Sequence, residues 1–257
     1  MVGLRHTPSV RVGFALYLGY LVVFFTTWVV NGVDYTRIGE DAQTTKLWYA
    51  VPTLLGCAFL FVAVTALGWW RDVLFDRTRC GPWWIWFLPA VVTLIIVMNF
   101  LSVDAGRLSP DLVLWLTLGG IGVGFGEEIA TRGSLLVGLR SSMSERRAWL
   151  ISTLSFAALH IPNALFGLPA AVMPTQVALT FIMGSALYVM RRMSGTLLLP
   201  IVLHGLWDSS LFAMTATGVA PLVLQFSVYP LAVVCSLAVL GGMKRALPEH
   251  HERSELR

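Results

Sequence analysis

Hydrophobic and polar positions along the chain alternate on the scale of whole helices, not of single residues. Apolar runs fall near 12–30, 48–70, 83–103, 112–139, 148–166, 171–190, 196–216 and 221–242, separated by short, arginine-bearing connections. A helix rises about 1.5 Å per residue, so such runs can cross about 30 Å of hydrocarbon. They are continuous, not alternating segments of about ten residues, and in lipid every backbone polar group needs an internal partner, which favours helices over a barrel. The pattern predicts an all-α, polytopic membrane protein of about eight transmembrane helices. Trp48, Trp69, Trp70, Trp83, Trp84 and Trp149 fall near the proposed ends, where amphipathic rings favour the headgroup region.

Composition strengthens this reading. Of 257 residues 56% are hydrophobic and only 12% charged, with a mean hydropathy of +0.74, a combination that water-soluble domains of this length do not show. The net charge of +4 comes from sixteen Arg and two Lys set against fourteen acids. These cations cluster between apolar runs, which fits membrane topology and argues against nucleic acid as a partner. Cytoplasmic loops retain Lys and Arg. One side holds fourteen of them: Arg71, Arg77, Arg79, Arg140, Arg146, Arg147, Arg191 and Arg192, together with Arg5, Arg11, Lys244, Arg245, Arg253 and Arg257 near the termini. The other side holds Arg37, Lys46 and Arg107. Both termini are therefore expected in the cytoplasm, with the protein integral to the cell membrane. The first apolar run is too long for a signal-peptide core and lacks a small-residue cleavage site, so it reads as a retained span. Residues 1–247 are expected to form one membrane domain with its core at about 112–216, and 248–257 a disordered cytoplasmic tail. Cys57, Cys80 and Cys235 are odd in number and far apart, and read as packing residues.

Setting aside loop and tail charges leaves six ionisable groups inside the proposed spans: Glu127, Glu128, Arg132, His160, His204 and Asp208. A charged side chain at a helix centre costs roughly 2.5–3.5 kcal/mol on insertion scales, so such a cluster is a functional-site hypothesis by default. The alternative is polar glue between helices. Counted by helical rise from the basic loops, Glu127, His160 and Asp208 each lie about 20 Å into the bilayer, and His204 somewhat nearer the cytoplasm. A shared depth on three spans is what a catalytic constellation requires and what independent glue residues have no reason to show. Glu128 and Arg132 are four apart with the acid first, the favoured order for a same-face ion pair. Glu127, about 100° around the helix, is left to face a reacting group. His204 and Asp208 share a face, so the carboxylate can orient the imidazole or both can face a common ligand. His160 precedes Ile161-Pro162, where the helix should be disrupted. The run from Gly119 to Gly126 reads as tight helix packing, as a weakened helix that admits water, or as both.

At these residues the sequence resembles the CPBP family, the CAAX-protease and bacteriocin-processing membrane proteins also known as abortive-infection proteins. GEEIATRG (Gly126 to Gly133) matches the family's EExxxR, FAALH (Phe156 to His160) its FxxxH, and HGLWD (His204 to Asp208) its HxxxN or HxxxD. Ser152 and Pro200-Ile201 also look like family context. The motif core covers about a third of the chain, from Gly119 to Ser209. The resemblance implies an eight-helix fold whose core opens to the cytoplasm and to lipid, and a glutamate-dependent endopeptidase. By motif, Glu127 with His160 would activate water, Glu128 with Arg132 would support that pair, and His204 with Asp208 would stabilise the oxyanion. The substrate would be a membrane-associated or lipidated protein or peptide, and the other partner membrane lipid.

The last motif position is often an amide in the family, whereas an ionised Asp208 only accepts hydrogen bonds. Three carboxylates and one arginine leave a charge of −2 with neutral histidines, which a buried site must compensate. Two protonated histidines would do so. So would a divalent metal such as zinc on His160, His204, Asp208 and Glu127; the resemblance favours the mechanism without a metal or other cofactor. Two other functions fit the same residues. One is a non-proteolytic adaptor or immunity protein binding a partner in the cavity. The other is a small-molecule or proton transporter, against which stands the lack of an inverted repeat or of a pair of similarly broken helices.

Overall fold

The computed structural model describes residues 6–243. Arg5, Lys244, Arg245, Arg253 and Arg257 of the charge count, and the tail 248–257, lie outside the described residues. Eight helices are long and apolar enough to cross a membrane: α1 (Val10–Asn31), α2 (Ala42–Leu67), α3 (Trp83–Ser102), α4 (Pro110–Arg140), α5 (Glu145–Phe166), α6 (Met173–Ser194), α7 (Leu198–Thr217) and α8 (Val223–Gly242). Among the described residues there is no strand beyond one isolated bridge between Phe75 and Thr196.

Local chemistry sets the ends of these helices. Ser9 caps α1 by accepting from the Val12 amide, and Gly32, at φ 56°, ends it in the left-handed conformation that glycine adopts without strain. Ser109 and Pro110 open α4 in the same way, with Ser109 accepting from the Leu112 amide. α2 begins at Ala42, several residues before the apolar run at 48, because Asp41 and Thr44 form a reciprocal capping box.

α4 is the central helix. Buried positions make up 61% of its most apolar stretch, against 33% for α1, α2, α5 and α8. It packs most extensively on α2 and α7, and also on α1 and α5. The glycine run makes this possible on two sides. A Cβ on Gly120 would meet the Gly205 carbonyl and Ser209, and one on Gly124 would meet the Ile201 carbonyl and the Gly205 backbone. On the other side, Gly119 and Gly122 make room for Tyr49 and Thr53 of α2. The run stays α-helical through Glu128, so tight packing describes it. The departure from α geometry comes just after, in a π-helical stretch Ile129–Leu135.

The arginine-rich connections bury charges that read in sequence as loop charges. The Asp76 side chain is fully buried: its Oδ1 accepts from Arg140 and Arg191, both at 2.9 Å, and its Oδ2 from Arg192 at 2.6 Å. Burial opposes its ionised form, but the guanidinium groups of Arg191, Arg140 and Arg192 hold its carboxyl well below the usual carboxylate range. Glu145 joins through Arg140 (2.5 Å) and the Tyr188 hydroxyl (2.6 Å). Trp69, read as a headgroup anchor, is instead wholly buried, with its indole N–H donating to the His6 carbonyl at 2.7 Å.

Candidate active site

Glu127 and Glu128 end the regular part of α4, and Arg132 lies in the π-helical stretch that follows. Single π turns recur at functional sites, where they re-aim side chains at the expense of regular bonding. Here Thr131 Oγ1 donates to the Glu127 carbonyl at 2.6 Å, supplying a partner at the junction. Arg132 Nη1 donates to Glu128 Oε1 at 2.8 Å, with both side chains fully buried, as the four-residue spacing predicts. The guanidinium also lies over the Phe156 ring, 3.7 Å from its centroid. Gly184 of α6 lets that stack form, since a Cβ there would sit 2.7 Å from both Arg132 Nη2 and Phe156 Cδ1.

α7 brings His204 to the same carboxylate. His204 Nδ1 lies 3.0 Å from Glu128 Oε1, and an ionised carboxylate only accepts, so Nδ1 carries a proton. Asp208 Oδ2 stands 4.0 Å from Nε2, outside hydrogen-bonding range. The partner that orients His204 is therefore Glu128 across the helix pair, and not Asp208 four residues on.

His160 sits where α5 changes character: regular helix ends at Ala158 and a 3-10 stretch runs over Ile161–Phe166. Pro162 has no amide hydrogen to continue the α pattern. His160 Nδ1 is 3.1 Å from the Phe156 carbonyl. A carbonyl only accepts, so this nitrogen is the donor, and in the neutral ring Nε2 keeps its lone pair for the site. The Phe156 ring spaces the two imidazoles, with centroids 5.4 Å from His160 and 5.6 Å from His204, both nearly edge-on. Sequence reasoning quoted Phe156 as a motif letter but gave it no task. Its place four residues before His160, on the same helical face, was the available signal.

Two cavities meet at these residues. The smaller, about 70 Å³, is bordered by Glu127, Tyr49, His160 and Asp208 among aromatic rings of α1 and α2. The larger, about 500 Å³, is bordered by His160, His204 and Asp208 and extends along α6 and α7. Glu128 and Arg132 stand behind His204. All six residues singled out in the sequence are thus brought to one place, with His160 and Asp208 in the partition between the cavities. Glu127 Oε2, Glu128 Oε2, Arg132 Nε and Nη2, Tyr20 Oη and Tyr49 Oη are buried with no hydrogen-bond partner in the protein. Of these, Glu127 and Tyr49 border the smaller cavity, where unspent hydrogen-bonding capacity suits a site that handles water. Among the described residues no three His, Cys, Asp or Glu side chains are grouped as a metal site.

Residues 109–210, about two fifths of the chain, match the family model described as type II CAAX prenyl endopeptidase Rce1-like. No curated protein and no solved structure matches the chain. The matched segment contains all six polar residues, and its family is the kind of CAAX protease that the three motifs resemble. Over this segment the chain is similar to the Rce1-like CAAX protease family of membrane endopeptidases.

Proposed function

We propose that the chain is an intramembrane endopeptidase that uses Glu127 and His160 to activate water. One observation carries the reading: Glu127 and His160 border the same small cavity, while His160 also borders the large one. A cavity of about 70 Å³ has room for a few water molecules, and the larger one has room for an extended peptide segment. Water held between the Glu127 carboxylate and the His160 Nε2 lone pair loses its proton to Glu127 as its oxygen attacks the scissile carbonyl carbon. Negative charge passes to the carbonyl oxygen, where His204, when protonated between Glu128 and Asp208, can donate from Nε2. Collapse of the tetrahedral intermediate breaks the C–N bond, and Glu127 returns its proton to the departing amine. Arg132 and Glu128 take no part in bond making. They hold His204 and Phe156 in position.

The family name points to a prenylated, membrane-associated protein as substrate, and a large cavity reaching lipid-facing helices suits a chain held at the bilayer. The charge distribution supports placing both termini in the cytoplasm. The resemblance of the EExxxR, FxxxH and HxxxD motifs supports the glutamate mechanism over a metal-dependent one.

The test is to compare peptides released in membranes carrying the native chain with those carrying Glu127→Gln or His160→Ala. Products that depend on both residues are expected. Identical products from all three would end the glutamate mechanism. Chelator dialysis followed by metal add-back separates the chemistries, because only a metalloenzyme should lose and regain activity.

A further inference from the structure

Donors that face a developing oxyanion, fixed before the charge appears, are among the strongest contributors to acyl-transfer catalysis. In this site they are scarce, and apart from Nε2 of a protonated His204 the polar groups described so far offer none. The Nδ1–H groups of His160 and His204 are committed to the Phe156 carbonyl and to Glu128. Arg132 is closed off behind Phe156 and Glu128, and an ionised Asp208 has no hydrogen to give.

Four residues border both cavities: Tyr35, His160, Asp208 and Phe212. Tyr35 is the one whose donor the protein does not use. Its phenolic oxygen accepts from Gln176 Nε2 at 2.6 Å, and Gln176 Oε1 is occupied by Asn163 Nδ2 at 3.1 Å. The amide is thereby oriented with its N–H toward the phenol, so the phenolic hydrogen points elsewhere. The ring is held as well. Tyr35 opens the 3-10 turn Tyr35–Arg37, capped by Asp34, whose Oδ1 accepts from the Thr36 amide at 3.0 Å and hydroxyl at 2.7 Å. Gly167, at φ 107°, lets the chain beyond His160 close on this turn, since a Cβ there would lie 2.7 Å from Asp34 Oδ1. Burial pushes the Tyr35 hydroxyl up to about 12, against the opposing pull of the Gln176 hydrogen bond, so at neutral pH it keeps its proton.

Resting on the endopeptidase reading, we propose that Tyr35 is a catalytic residue whose O–H donates a hydrogen bond to the scissile carbonyl oxygen and holds it as the oxyanion forms. It lies outside the three motifs, on the connection between α1 and α2, and takes the donor task that an ionised Asp208 cannot perform.

The experiment first identifies a peptide whose release depends on Glu127, then follows its cleavage by the full-length chain in liposomes. Tyr35→Phe keeps the ring and loses only the hydroxyl, and is expected to lower kcat about 10²- to 10³-fold, the usual effect of deleting one oxyanion donor, with KM within about threefold. Site-specific 3,5-difluorotyrosine at position 35 provides a readout that packing would not move: its more acidic phenol should bring an alkaline decline in kcat into the measurable range. Native-like kcat in Tyr35→Phe overturns the proposal, as does a pH profile that the fluorinated residue leaves unchanged. If Tyr35→Phe fails to fold, the fluorinated chain decides alone. If native and Glu127→Gln membranes release the same peptides, the endopeptidase reading fails first and this proposal falls with it.

Discussion

At the residue scale, the site turns on one oxygen. Glu128 Oε1 receives both Arg132 Nη1 and His204 Nδ1, so the carboxylate joins the guanidinium to the imidazole. Arg132→Lys tests whether charge alone suffices. An ammonium cannot lie flat on Phe156 while bonding Glu128. Loss of the stack and of a charge-assisted bond is expected to cost about 1–3 kcal/mol in thermal unfolding and to lower kcat/KM at least about tenfold. A lysine chain that matches the native one in both measurements would show that guanidinium geometry is not used. The six polar residues were legible in the sequence because ionisable groups in an apolar run stand out. Their pairing was less so: the same-helix pair Glu128 and Arg132 follows from spacing, whereas Glu128 reaching His204 depends on how α4 meets α7. Phe156 and Tyr35 stayed silent for a different reason. Aromatic side chains are ordinary in membrane helices and their connections, and only position distinguishes them.

At the scale of elements, the contact between α4 and α7 is backbone against backbone. Gly124→Ala would drive a Cβ into the Ile201 carbonyl and within 2.9 Å of the Gly205 amide, neither of which can rotate away. A destabilisation of about 1–3 kcal/mol is expected, measured as a lower midpoint in detergent unfolding, with activity falling alongside. Gly241→Ala is the control, since nothing lies within 4 Å of a Cβ there; equal effects at both positions would refute the packing account. Hydropathy located all eight spans because apolar length is a strong signal. It missed the first turn of α2, whose Thr, Gln and Lys residues are helical without being apolar, and the π turn after Glu128, because one extra residue per turn leaves hydropathy unchanged.

At the scale of the whole molecule, Asp76 ties the connection after α2 to the ends of α4 and α6. Arg191 extends the tie by donating to the Arg132 carbonyl. Asp76→Asn should cost about 3–5 kcal/mol, as when one partner leaves a buried ionic cluster. The sign of the pH dependence follows from the depressed carboxyl. The stability that Asp76 contributes is complete above its unfolded value, about 3.9, and drains away as pH falls toward the folded one. The gap between native and Asp76→Asn midpoints should therefore hold steady from neutrality to about pH 5 and narrow below about pH 4. A gap constant down to pH 2 would contradict this. A loop aspartate among arginines looks solvated in sequence, and only the fold reveals its burial.

The glycine seam has a further consequence for traffic through the protein. Helices pressed together without intervening side chains have no rotamers to rearrange, so α4 and α7 move as one plank, carrying both glutamates, His204 and Asp208 at fixed spacing. Room for a bulky guest is then expected from rotamer changes of the side chains that border the roomier chamber, such as Leu179 and Met183 of α6. The polar cluster keeps its spacing while its apolar wall adjusts.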